Sequence, residues 1–202
     1  MQDTTLIQCS TCPRLRLQLR RLRKRYPEYW NLPVAASGPE KTALLIVGLA
    51  PGLHGANKTG IPFNGDASGD LLFKVLKHFQ IESRVRITNA VKCLPVANKP
   101  SSLELNNCQK FLLPEVTLHL QQDMPTVILS LGQIAHRSVI KALGVKQSQY
   151  PFSHGAVHDL DEQQWLVDSY HCSRYNTQTG RLTQSMFQSA VQSAAQLAGY
   201  LK

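Results

Sequence analysis

The chain has 202 residues, 43% hydrophobic and 17% charged, and its 22 Lys+Arg against 13 Asp+Glu leave a formal net charge of +9. That composition is too apolar for a disordered tail, and the length suits a single domain spanning residues 1–202. No stretch approaches the ~18 apolar residues of a membrane span, and the N-terminus lacks a secretory pattern, so a cytoplasmic monomer with no membrane partner is expected. Collagen, coiled coil and integral membrane protein are excluded, and the excess positive charge points to an anionic partner.

In chain order, Cys9 and Cys12 form a C-x2-C pair at the start of a basic arm, residues 9–26. Residues 14–25 (RLRLQLRRLRKR) set seven cations around four leucines. Leu15, Leu19 and Leu22 fall at i, i+4 and i+7, so a helix here carries a narrow apolar stripe and a broad cationic face. That face is either simply solvated or turned toward phosphates. A Pro/Gly-rich linker, residues 27–39, follows.

Residues 43–48 (ALLIVG) are apolar on both faces, as in a strand covered by helices on each side. The loop 49–65 holds four glycines and two prolines, too many for a helix. The pattern then predicts a helix over 67–79, a strand over 85–91 and a helix over 103–120. A strand over 126–131, a helix over 133–143, a strand over 165–170 and a closing helix over 182–201 complete the chain. This alternation predicts a three-layer α/β/α fold around a mainly parallel, four-stranded sheet.

In such a fold ligands bind beyond the carboxyl ends of the strands, and the loops there are chemically loaded. Neither GxGxxG nor GxxxxGK[ST] occurs, so no nucleotide cofactor is expected. In the first loop the useful groups are Phe63, Asp66 and the amides of Gly48, Leu49, Ala50, Pro51 and Gly52, although proline brings no N–H. Asp66 could equally be a helix cap, and Phe63 a core residue. Lys58, Lys92, Lys99, Arg174 and Arg181 lie in or beside the loops, where they could clamp a nucleic-acid strand. Cys93 and Cys108 add two thiols to the first pair. In a reducing compartment four thiolates fit zinc or a cubane iron–sulfur cluster, and the spacing leaves that choice open. Cys172 stands apart.

The series GLAPG-x-HG-x-N-x-TG-x-PF-x-GD-x-SG, then TNAVKC…NKP, then SYHCSRYNTQTGRLT resembles the family 5 (type b) uracil-DNA glycosylases, relatives of the family 4 enzymes. The match runs from Cys9 to the final helix, and the string at 176–183 is its most specific part. The resemblance implies a 4Fe–4S cluster on Cys9, Cys12, Cys93 and Cys108. It implies hydrolytic removal of uracil from DNA, and of other altered bases such as hypoxanthine, leaving an abasic site. A flipped base would then stack on Phe63 and be read at its edge by Asn89. His171 would stabilise charge at uracil O2, and Asp66 would orient water or stabilise the sugar cation. Asn98 and Ser173 complete the implied pocket. The residues expected to touch DNA are His54, Asn57, Lys58, Thr59, Lys99, Arg174, Asn176, Thr179 and Arg181. Leu49 occupies the position of a family 4 glutamate. Two departures stand out: Cys172 replaces the proline of a common His-Pro-Ser motif, and Asn89 stands where many family 5 members have alanine, which implies a stricter preference for uracil. The competing readings are a non-catalytic nucleic-acid-binding module and, less favoured by the dispersed thiols, an electron-transfer protein. An incision assay on a uracil-containing strand separates enzyme from binder.

Overall fold

The computed structural model describes residues 4–202. A short helix α1 (Thr4–Ile7) precedes the arm helix α2 (Pro13–Arg25), which starts with proline at its first turn and ends on Arg23, Lys24 and Arg25. Both features suit a helix, because the first N–H needs no partner and cations complement the C-terminal dipole. Leu15 and Leu19 are buried and Leu22 is half-buried, so the apolar stripe packs down onto Val91, Leu94 and the thiols of Cys93 and Cys108.

The sheet contains β1 (Leu44–Gly48), β2 (Val85–Asn89), β3 (Thr126–Leu131), β4 (Val157–Asp161) and β5 (Gln164–Ser169) in the order β2-β1-β3-β5-β4. The pairs β1·β2, β1·β3 and β3·β5 are parallel, and β4 runs antiparallel to β5. The sheet therefore has five strands rather than four. The fifth escaped the hydrophobic pattern because Val157–Asp161 (VHDLD) is a short, polar edge strand with one irregular pairing near Asp159.

Alternate residues of β1 face opposite cores. Leu44 and Ile46 pack with α4 (Ala67–His78) and α8 (Gln184–Leu197); Leu45 and Val47 pack with α5 (Ser102–Leu120) and α6 (Gln133–Leu143). Two further short helices interrupt the loops, α3 (Ala56–Thr59) and α7 (Arg174–Gln178). The first of them lies inside the stretch expected to be loop throughout. No helix among the described residues is long and apolar enough to cross a membrane.

Local chemistry fixes the helix starts. Ser101 and Glu104 form a reciprocal capping box on α5, and Thr183 caps α8 by accepting from the Met186 N–H. Glu104 also receives two hydrogen bonds from Arg14, at 2.8 and 2.6 Å, tying the arm to the start of α5. The sheet order reverses on either side of β1, so the crevice beyond the ends of β1 and β3 is a topological switch point.

Burial pushes the His119 imidazole down to about 4, against the pull of its contact with the Val127 carbonyl. A depressed histidine contributes stability that is full above its unfolded value near pH 6.5 and is lost as the pH falls toward 4. Urea melts across this window are expected to show His119→Gln with a shallower acid limb, by up to about 1.4 kcal/mol per pH unit. An unchanged slope would assign the acid sensitivity elsewhere.

Candidate functional site

A cleft of about 1030 Å³ opens at this switch point. Leu49, Ala50, Pro51, Gly52 and His54 line it from the loop after β1, with Phe63, Asp66, Asn89 and Asn98 beside them. Gly132, Gln133 and Ile134 after β3, and Tyr170, His171, Ser173, Arg174, Asn176 and Arg181 after β5, supply the facing side.

Asp66 caps a helix and also lines the cleft. It is the N-cap of α4, with Oδ1 accepting from the N–H groups of Ser68 and Gly69 at 3.0 Å each. Oδ2 takes no hydrogen bond among the described residues and packs over Gly52 and Gly55, where a Cβ at either position would collide with it. One oxygen is thus anchored while the same half-buried carboxylate lines the cleft.

Phe63 is likewise both core and cleft. It belongs to the buried cluster of the β1/α4 face and adopts φ 55°, a left-handed conformation costing an aromatic residue of order 1–3 kcal/mol. Its ring lies near-parallel to His171, with centroids 5.9 Å apart. Gly48 lies behind the cleft wall rather than in it. A Cβ there would stand 2.5 Å from two Phe63 ring carbons and 2.6 Å from Asn89 Oδ1. Asn89 ends β2, is 2% exposed, and its Oδ1 has no hydrogen-bond partner among the described residues. A desolvated, unpaired acceptor costs about 1–3 kcal/mol, a cost that a ligand could offset.

His171 follows β5 at the cleft wall. Burial lowers its pKa below the ordinary histidine value, while the Asp66 charge pulls the other way. Its backbone is held by the Asn176 side chain, whose Nδ2 donates to the His171 carbonyl at 2.8 Å. The Cys172 thiol donates to the Ser68 carbonyl at 3.4 Å, linking this loop to the α4 cap. Ser173 caps α7.

Several residues expected on the nucleic-acid face have internal duties instead. Lys92 is fully buried, with Nζ 2.6 Å from both Glu115 and Thr88 Oγ1, and cannot reach a phosphate. Asn57 is also fully buried and donates to Asn31 Oδ1. The Thr59 hydroxyl lies within hydrogen-bond reach of the Gly55, Ile61 and Asn64 carbonyls, to one of which its single proton can donate at a time. Thr179 donates to the Tyr175 and Asn176 carbonyls at the end of α7, away from the cleft lining. Lys58, Lys99, Arg174 and Arg181 are exposed, and His54 is exposed while accepting or donating at Nδ1 with the Tyr29 hydroxyl. The β2 hydrophobic run gave no hint that its flanking lysine would be turned inward. Nor did Phe152, which also lines the cleft, carry any motif signal, and Tyr170, inside the 169–183 motif, was not singled out.

The four thiols of Cys9, Cys12, Cys93 and Cys108 line one small cavity beneath α2. Burial pushes the Cys93 and Cys108 thiols up, and neighbouring thiols add to the effect. At Cys9 burial is outweighed by hydrogen bonding at Thr11 and by the Lys110 charge, which lower it. A separate buried group joins His136, His158 and Asp168. His136 Nδ1 and His158 Nε2 lie 2.8 and 3.1 Å from the Asp168 oxygens, and Ser130 donates to Oδ1 at 2.6 Å. His136 Nε2 faces the Tyr150 carbonyl at 2.9 Å. With both carboxylate oxygens and both His136 nitrogens engaged, this group forms a closed hydrogen-bond network.

Comparison with known proteins agrees with this geometry. The family model described as the uracil DNA glycosylase superfamily matches residues 35–195. A type-5 uracil-DNA glycosylase of Thermus thermophilus is 39% identical over 213 residues, covering 96% of this chain and 96% of its own. The Mycobacterium leprae type-5 uracil-DNA glycosylase is 36% identical and covers 95% of this chain and 92% of its own. A type-4 uracil-DNA glycosylase of Pyrobaculum aerophilum is 32% identical over 119 residues, 58% of each chain. The crystal structure of wild-type Pedobacter heparinus SMUG2 superposes with a TM-score of 0.53 at 16% identity, covering 79% of this chain and 76% of that one, a likeness of fold.

Removing Asp168 strands Ser130, His136 and His158 in the interior. Asp168→Ala is expected to lower the unfolding free energy by about 3–5 kcal/mol, read as a urea midpoint shift at constant slope. A loss below 1 kcal/mol would show that the network carries little of the fold.

Proposed function

The chain belongs to the uracil DNA glycosylase superfamily, and from that membership together with the cleft we infer a DNA-repair enzyme that hydrolyses the N-glycosidic bond of uracil in DNA. The observation that carries the pocket assignment is the buried, unpartnered amide of Asn89 beside the Phe63 ring. An amide offers one donor and one acceptor side by side, matching uracil O4 and N3–H. With its orientation fixed, cytosine would meet donor with donor. The base must leave the stack to reach this site, and Phe63 gives the flipped ring a platform.

Bond cleavage develops positive charge on the sugar and negative charge on the departing uracil. The C1′–N1 electron pair leaves with the base, a water oxygen bonds to C1′, and the water proton ends on the products. His171, at the cleft wall beside Phe63, is suited to donate a ring N–H to the charge developing at uracil O2. Asp66 Oδ2 is the carboxylate oxygen left to orient water or face the sugar cation. Exposed Lys58, Lys99, Arg174 and Arg181, with Arg20, Arg21, Lys24 and Arg25 on α2, supply sequence-independent attraction to phosphates.

The residues at the thiol cavity fit a cluster. Four cysteines converge from the arm, the segment after β2 and helix α5, with Arg16 placed to offset thiolate charge. Four thiols around one cavity are a donor set that suits zinc or an iron–sulfur cluster. The resemblance to the family 5 enzymes favours an iron–sulfur cluster held by Cys9, Cys12, Cys93 and Cys108. Such a cluster would act as a clasp, linking the basic arm to the domain.

Uracil release from a labelled oligonucleotide tests the activity, with alkali exposing the abasic product. Asp66→Asn keeps a helix cap and is expected to lower the single-turnover rate by about 10²–10⁴-fold with DNA affinity unchanged. Full activity in that variant would remove Asp66 from the chemistry. The full chain purified without oxygen is expected to be brown, with iron and sulfide in equal amounts, and Cys93→Ser colourless and less soluble. A colourless native protein with one zinc per chain would overturn the cluster.

A further inference from the structure

We propose that the half of the cleft beyond the ends of β3 and β5, walled by Phe152, Tyr170 and Arg181, is a second nucleotide subsite that takes the base next to the excised one on the same strand. This rests on the glycosylase reading above and names a second site for the same substrate.

Size makes the first argument. A cleft of about 1030 Å³ is at the top of the ~300–1,000 Å³ range that holds whole drug-sized ligands, far more than one pyrimidine requires. Its lining runs from Asn89 at the end of β2 to Tyr170 just past the end of β5, three strand spacings or roughly 14 Å across the sheet. Phe63, Asp66 and Asn89 come from the β1/β2 side. The β3/β5 side has no part in the reaction apart from His171, which reaches back toward Phe63.

The chemistry of that second half is planar and cationic. Tyr170 is stacked on His154 with centroids 5.1 Å apart and 20° between planes, and the Arg181 guanidinium sits 4.7 Å from the Tyr170 centroid. Phe152 stands 6.1 Å from Tyr170. Arg181 is exposed and has no carboxylate partner among the described residues, so the stack ends on a solvent-facing planar cation. Aromatic faces and guanidinium planes are the groups on which unpaired bases stack, and the same cation attracts the adjoining phosphate.

The wall is also held rigidly. Phe152 packs edge-on against His136, centroids 5.5 Å apart at 65°, and His136 is pinned at both nitrogens by Asp168 and the Tyr150 carbonyl. A fully satisfied buried network behind a half-exposed aromatic residue is the support expected of a preorganised site. The neighbouring base on the same strand is one phosphodiester away from the flipped uracil, whereas the opposing base is held only through the complementary strand.

The full-length protein is tested on single-stranded oligonucleotides bearing one uracil, with the 5′ or the 3′ neighbouring base replaced by an abasic linker. Replacement on one side is expected to raise the half-saturating enzyme concentration and the anisotropy Kd about tenfold, leaving the saturating cleavage rate unchanged. Phe152→Leu, which keeps an apolar side chain against His136, is expected to lose the same factor on the intact strand and nothing further on the linker strand. Arg181→Lys keeps the charge and loses the plane, and should show part of that loss. Equal loss for Phe152→Leu on both strands would mean a structural role and overturn the subsite. So would indifference to both neighbours, or an effect seen only when the opposing base of a duplex is removed. Failure to release uracil from any strand would fall on the glycosylase reading, and the anisotropy series would still report on the subsite.

Discussion

The site depends on backbone that comes closer to its neighbours than a side chain would permit. At Gly48 a Cβ would stand 2.5 Å from Phe63 and 2.6 Å from Asn89 Oδ1, separations that real Cβ atoms do not show. Gly55 and Gly69 make the same allowance for the Asp66 carboxylate and for the Phe63 carbonyl. Phe63, which packs against Gly48 and Gly69, adopts a left-handed backbone conformation. The Phe63 ring, the Asn89 amide and the Asp66 carboxylate are positioned by what the glycines lack. This is how the loop after β1 can bring Phe63 and Asp66 up beside Asn89 at the end of β2.

Away from the cleft, the same logic of fixed positions governs charge. The net charge of +9 divides into cations with internal partners and cations without them. Arg14 is held by Glu104, Arg23 by the Asn31 carbonyl and Lys92 by Glu115. The Arg14 contact lands on the capping box of α5, the helix that also carries Cys108. Arm, thiols and helix start are therefore one structural unit. The exposed cations left over on α2 and around the cleft make a positive surface whose attraction for phosphates would not depend on base sequence.

Much of this was legible in the sequence because burial leaves a periodic trace. The strand at Leu44–Gly48 and the helix at Gln133–Leu143 follow directly from apolar runs and spacing. Asp66, Phe63, Asn89 and His171, which line the cleft, were legible as candidates because they sit in strand-end loops and match a family pattern. What escaped had no such trace. Val157–Asp161 pairs at a sheet edge through backbone alone. Lys92 and Asn57 are polar residues turned inward by tertiary partners twenty or more positions away in the chain. Phe152 gains meaning only from the spatial order of strands, which no local pattern encodes.

The dependence of the site on Gly48 can be measured directly with Gly48→Ala. A Cβ there must displace the Phe63 ring or the Asn89 amide, while the hydrogen-bonded strand itself needs no glycine at that position. Single-turnover uracil release from a single-stranded oligonucleotide, measured beside the melting temperature, is expected to fall by about 10²-fold or more with the protein still folded. Wild-type release by a folded Gly48→Ala protein would contradict the claim that this close approach builds the pocket.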